Sequence, residues 1–149
     1  PPRSTLFPYT TLFRSAFLMN DRGQLWIPRR TAAKKTFPLC LDMSVAGHVA
    51  SGEEYLTAFR RELQEELQVS LDDVDWRLVG HFTPHQHGMS CFMQVYEIIT
   101  NQTPQYNRDD FVESYRLYPQ ELLERLQNGD RSKNDLPRLV QRLYLPQRT

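Results

Sequence analysis

Glu62, Glu65 and Glu66 sit in the segment Arg60-Arg61-Glu62-Leu63-Gln64-Glu65-Glu66-Leu67. If that segment is helical, their i, i+3, i+4 spacing puts three carboxylates on one face. Three like charges so close repel one another, and a hard divalent cation relieves them, because Mg²⁺ takes oxygen ligands and pairs with phosphates. A solvated acidic helix face has the same spacing, so spacing alone does not separate the two readings. Arg61 lies beside the face and is placed to pair with Glu53 near the helix start. Upstream, Arg22–Lys35 holds five positive charges and no acid. Arg29, Arg30, Lys34 and Lys35 suit the capture of a phosphate; a surface loop of solvated cations is the alternative.

The elements that must position these residues read as α/β. Ala16–Asn20 and Leu25–Ile27 flank the turn Asp21-Arg22-Gly23-Gln24, which predicts a hairpin. Arg29–Asp42 reads as a loop broken by Pro38, and Val45–Val49 as a short strand. Ser51 is a candidate N-cap with Glu53 and Glu54 in the first turn. Leu56, Phe59, Leu63 and Leu67 then recur at helical spacing, predicting a helix over Glu53–Leu67. Trp76–Phe82 and Cys91–Ile99 read as strands, and Phe111–Leu117 as an edge strand. Helices are predicted over Pro119–Leu126, stopped by Asn128-Gly129, and from Asp135 to Tyr144 with Pro137 in the first turn.

Composition bounds the answer. A chain of 149 residues with 40% hydrophobic and 24% charged residues fits one globular domain with a core. A net charge of zero argues against a stable nucleic-acid partner. No apolar run approaches the roughly 18–20 residues of a membrane span, so no membrane association is expected. Two cysteines, Cys40 and Cys91, make no disulfide framework and suit a reducing, cytoplasmic setting. The neutral total conceals two opposed blocks: the basic Arg22–Lys35, and Glu53–Glu66 with five acids against Arg60 and Arg61.

Residues 1–15 read differently from the rest. Thr5-Leu6-Phe7-Pro8-Tyr9-Thr10 is nearly repeated by Thr11-Leu12-Phe13-Arg14-Ser15, and three of the ten prolines fall in the first eight residues. The segment lacks the pattern of a signal peptide. It resembles translated sequencing-adapter segments at the ends of assembled reading frames, a flexible arm being the other reading. The expectation is a domain over 16–149, with native sequence ahead of Ala16 missing.

The stretch Gly47 to Val69 resembles the Nudix box: Gly, five residues, Glu, seven residues, then Arg-Glu-aliphatic-x-Glu-Glu-x-Gly-aliphatic. Gly47, Glu53, Arg61, Glu62, Leu63, Glu65, Glu66 and Val69 match in register, eight of nine fixed positions. Gln68 stands where the family has the glycine that ends the helix, which puts that helix end in question. The resemblance implies an α/β/α sandwich with a mixed β-sheet between helices. It also implies a hydrolase that cleaves a diphosphate linkage in a nucleoside-diphosphate-X or related small molecule, with Mg²⁺ or Mn²⁺ as cofactor. By similarity Glu62, Glu65 and Glu66 hold metal with a carbonyl near Gly47, while Arg61 and Glu53 orient these ligands. The metals neutralise the diphosphate and activate a water. Glu66 or Glu62 is the general base implied, with Glu113, in an acid-rich segment similar to one in the family, as the alternative.

A second resemblance concerns Arg29-Arg30-Thr-Ala-Ala-Lys34-Lys35-Thr-Phe37-Pro38 and Ser44-Val-Ala46-Gly47-His48. Both are similar to the isopentenyl-diphosphate isomerase branch, in which the basic loop contacts the substrate diphosphate and His48 matches a metal-ligating histidine. That branch carries a catalytic Cys where Ala46 stands, and a Glu-x-Glu pair on a later strand. No acid occurs here between Asp75 and Glu97. Hydrolysis is expected on an isomerase-like scaffold, with isomerisation and a non-catalytic binding module as rivals. His48 is placed near the phosphates, and His81, His85 and His87 along a loop or substrate pocket. Cys91, Trp76, Phe82, Phe92 and Tyr96 are expected in the core. Assembly as a homodimer is left open.

Overall fold

Alternation along the strands decides the architecture. The computed structural model describes residues 12–49 and 54–146. In chain order it contains β1 (Leu12–Met19), β2 (Leu25–Arg30), β3 (Val45–His48), α1 (Tyr55–Leu67), β4 (Asp75–Phe82), α2 (Pro84–His87), β5 (Phe92–Ile99), β6 (Phe111–Leu117), α3 (Pro119–Gln127) and α4 (Leu136–Tyr144). The sheet order is β4-β5-β1-β2-β6, with β3 also paired to β1. β1 and β5 are parallel and the other pairs antiparallel, so the sheet is mixed.

Because successive side chains point to opposite faces, each central strand feeds two cores. Ala16, Leu18, Trp26 and Ile98 pack with Phe59, Leu63 and Leu67 of α1. Phe17, Ile27, Met93 and Val95 pack with Leu122 of α3 and Leu136, Leu139 and Val140 of α4. The result is the expected α/β/α sandwich, with α1 on one face and α3 and α4 on the other. Phe59 stacks on Tyr96 at 4.3 Å and meets Trp76 edge-on at 6.4 Å; Phe82 and Cys91 are buried in the opposite core.

Polar ties fix α4 to the sheet. At its start, the Asp135 carboxylate accepts hydrogen bonds from the Ser90 N–H and hydroxyl. At its end, the Tyr144 hydroxyl donates to Glu97 Oε2 at 2.8 Å, and Arg77 pairs with the other oxygen at 3.0 Å. The buried Glu97 carboxylate is thereby satisfied, as a charge in such a place must be.

Several boundaries differ from the expectation. β1 begins at Leu12, so the boundary expected at Ala16 falls inside the central strand. Phe13, Arg14 and Ser15 are held from both sides, opposite His48, Gly47 and Ala46 of β3 and Met93, Gln94 and Val95 of β5. β2 runs on through Arg29 and Arg30, which were expected in a loop, because β6 pairs with them. α1 starts at Tyr55 rather than Glu53, with Glu54 at its cap and no side-chain cap bond; Ser51 and Glu53 lie outside the described residues. Thr83, Pro84 and Gly88 shape the short α2 where only a loop was expected.

Candidate active site

α1 carries the acidic face over β3, and its register follows from burial: Phe59, Leu63 and Leu67 are inserted in the core. Glu62 and Glu66 stand one turn apart beside that apolar stripe. Glu62 is largely buried, and its Oε1 lies 2.8 Å from Arg14 Nη2 and 3.1 Å from Arg61 Nη1. Gly47 makes this approach to β3 feasible. A Cβ there would stand 2.7 Å from Arg14 Nη2 and 3.1 Å from the Glu62 carboxyl carbon. Glu65 is exposed at the rim, 3.5 Å from Arg61. Arg61 thus pairs with Glu62 and Glu65; its expected partner Glu53 lies outside the described residues.

The helix ends as the glycine-containing pattern would have it, although the residue is Gln68. Gln68 adopts φ 56° and ψ 36°, and its N–H reaches the Gln64 carbonyl at 3.1 Å. The departure from the box has therefore left the geometry of the helix end in place.

Glu66 is a strongly perturbed acid of the site. Burial, then the negative charges of Asp110 and Asp42, push its carboxyl up to about 7, against the opposing pull of Arg14 and Lys34. Asp42 is itself buried. It accepts from the Met43 N–H at 2.7 Å and pairs with Arg30 at 3.1 Å and Lys133 at 3.8 Å. Asp110 pairs with Lys34 at 2.7 Å. The centre therefore combines acids from α1, the segment before β3 and the start of β6 with cations from β2, its following loop and the segment before α4.

Asp42 and Lys133 were missed in the sequence, where neither stands in a spaced motif; Asp110 opens the acid-rich segment that was noticed for Glu113. Glu113 lies on β6 opposite Arg29, accepts from Arg29 Nε at 2.8 Å and from the Tyr115 hydroxyl, and these bonds hold its carboxyl below the usual range. Arg29 in turn forms a two-pronged pair with Asp130, each bond 2.9 Å, and donates to the Leu39 carbonyl. Arg29 is thus engaged in a network with Asp130, Glu113 and Tyr115, which Arg125 joins through Asp130 and the Tyr115 ring. Arg30 divides its guanidinium between Asp42 and the Thr36 carbonyl. Lys35 is exposed, with no ion pair among the described residues. His48 lies in β3 opposite Phe13. His87 Nδ1 accepts from the Thr83 N–H within the α2 turn.

Among the described residues no three His, Cys, Asp or Glu side chains already converge as a ready metal cage. The donor chemistry nevertheless fits a hard cation. Glu66 is buried and its carboxyl is pushed up by the charges of Asp110 and Asp42, and Glu62 lies close against Gly47, so oxygen donors are available there.

Comparison with known proteins bears on the family and the fold. The NUDIX domain family pattern matches residues 12–139. An uncharacterized Nudix hydrolase of Nostoc sp. is 52% identical over 130 residues, covering 87% of this chain and 77% of the relative. A Nudix hydrolase of Deinococcus radiodurans is 48% identical over 130 residues, covering 87% and 76%. A crystal structure from Deinococcus radiodurans superposes with a TM-score of 0.88 at 47% identity, over 90% of this chain and 83% of that one. A shorter match, 38% identical over 68 residues, is to an isopentenyl-diphosphate Delta-isomerase of Paenarthrobacter aurescens and covers 46% of this chain and 36% of the relative.

Proposed function

The chain belongs to the Nudix family as a pyrophosphohydrolase, and on that premise we propose that it is a Mg²⁺-dependent enzyme cleaving the diphosphate linkage of a small molecule in the cytoplasm. The observation that carries this reading is the buried Glu66 of α1, which feels the negative charges of Asp110 and Asp42 while Lys34 and Arg30 pair with those two aspartates. Acids to hold a cation and cations to hold phosphate oxygens are the two needs of phosphoryl transfer.

Glu62, Glu65, Glu66 and the Gly47 backbone are the groups that would hold Mg²⁺ or Mn²⁺, which supplies charge neutralisation of the diphosphate and activation of water. Arg61 orients Glu62 and Glu65 through its contacts to both. Lys34 and Arg30, which pair with Asp110 and Asp42, are the cations that would meet the phosphate oxygens. Glu66 is the residue that would accept the proton of the attacking water, as the family resemblance implies. Glu113, the alternative base, already accepts from the Tyr115 hydroxyl and Arg29, and these bonds lower its carboxyl.

Hydrolysis is favoured over isomerisation by two positions. Ala46 of β3 offers no thiol, and Glu97 of β5 is consumed by Tyr144 and Arg77. The deciding experiment follows phosphate release from a panel of diphosphates with Mg²⁺, using wild type and Glu66→Gln. Turnover that falls at least a hundredfold in a folded variant is expected; full activity of Glu66→Gln would overturn the assignment.

A further inference from the structure

On the sheet face opposite α1, a cavity of about 240 Å³ opens between the loop before β3, the start of β5 and the segment entering α4. Phe13, Phe37, Met43, Cys91, Met93 and Lys133 are among its lining residues. Lys133 joins it to the charged centre: its Nζ lies 5.7 Å from the middle of the Phe13 ring and 3.8 Å from Asp42 Oδ1. Met43 lies next to Asp42 in the chain and donates its N–H to that carboxylate. Cavity and acidic site therefore share a wall.

The loop that supplies Phe37 is strained, and the strain is held. Phe37 has φ 50° and Leu39 φ 59°, a backbone region that residues with side chains seldom occupy. Arg30 Nε and Nη2 donate to the Thr36 carbonyl at 3.2 and 2.9 Å, and Arg29 Nη1 to the Leu39 carbonyl at 3.0 Å. Backbone strain that the surroundings over-determine commonly marks a place where a ligand is clamped. Here it brings Phe37 into the cavity wall.

Resting on the diphosphate-hydrolase reading, we propose that this cavity receives the organic group of the substrate as a compact, uncharged, apolar body, and that Phe37 is its specificity-determining residue. The cavity is smaller than the roughly 300–1,000 Å³ of sites for drug-sized ligands. It accommodates one flat ring or a short branched chain, not a sugar linked through a nucleotide. A nucleobase and a short hydrocarbon present the same apolar face, and the probes below distinguish them.

The test is calorimetric binding, with Mg²⁺, of methylene-bridged diphosphate analogues that are not hydrolysed. One carries a five-carbon branched chain, one a pyrimidine nucleoside and one a nucleoside-linked glucose; bare methylenediphosphonate is the control. Phe37→Ala is expected to weaken the chain or the nucleoside analogue at least tenfold while leaving the bare control within twofold. The analogue with the larger loss identifies the source. Asn134→Trp, which fills the cavity from an exposed lining position, should have the same effect without touching the core. Equal losses on the bare control, no loss on either analogue, or tightest binding of the glucose-bearing probe would overturn the proposal. Failure of the wild type to bind the bare control and to hydrolyse any diphosphate would instead remove the hydrolase reading, and this inference with it.

Discussion

At the scale of single residues, Glu66 sets a pH dependence whose sign is fixed by its surroundings. Its folded carboxyl titrates at about 7 against 4.5 for the ordinary group. The native state therefore binds a proton more strongly than the unfolded chain, and stability is lost as pH rises from about 4.5 to about 7. At 1.36 kcal/mol per unit this amounts to roughly 3 kcal/mol. In melts of metal-free protein between pH 5 and 8, Tm should fall for wild type and stay nearly level for Glu66→Gln. Added Mg²⁺ should raise the wild-type Tm at pH 8 and not at pH 5. Parallel pH profiles for the two proteins would exclude Glu66 as the origin.

Arg29 gives a second prediction at this scale, with the opposite sign. Its bonds hold the Asp130 carboxyl well below the usual range, so their contribution is present above the ordinary aspartate range and fades as pH falls through it. Arg29→Gln and Asp130→Asn should each cost about 1–3 kcal/mol in urea unfolding at pH 7. The double variant should cost less than the two together. Additive losses would mean that the pair does not act as a unit.

At the scale of elements, α1 ends on a residue its conformation does not favour. A side chain at left-handed φ costs roughly 1–2 kcal/mol, and glycine recovers part of this after its own entropy loss of about 0.5–1 kcal/mol. Gln68→Gly should therefore stabilise the protein by about 0.5–1 kcal/mol without altering turnover; a lower Tm would show that the Gln68 side chain contributes something the backbone geometry does not require. The same helix shows what a sequence makes legible. Its apolar spacing at Phe59, Leu63 and Leu67 announces the buried face, and with it the direction of Glu62 and Glu66. The extension of β2 over Arg29 and Arg30 is not legible locally, because two adjacent arginines look like loop until β6 brings Glu113 opposite one of them. Asp42 and Lys133 are hidden for a related reason: they are 91 positions apart, and only the fold of both segments against Glu66 and Phe13 gives them a role.

At the scale of the whole molecule, β1 is the strand on which both halves depend. It pairs with β5 on one side and with β2 and β3 on the other, and its alternating side chains enter both cores. The positions Phe13, Arg14 and Ser15 complete the register along β3, so Gly47 is held opposite Arg14. Residues 12–15 therefore matter to the sheet as strand positions that some residue must fill. Two shortened chains test this, one beginning at Leu12 and one at Ala16. The chain beginning at Ala16 loses four strand positions and the fully buried Arg14. It should lose several kcal/mol, on the order of a large fraction of a domain's total stability, and show no cooperative melt by circular dichroism. The chain beginning at Leu12 should retain one. Equal melts for both would show that β1 needs only its Ala16–Met19 half, and that Gly47 and Glu62 are positioned by β3 and α1 alone.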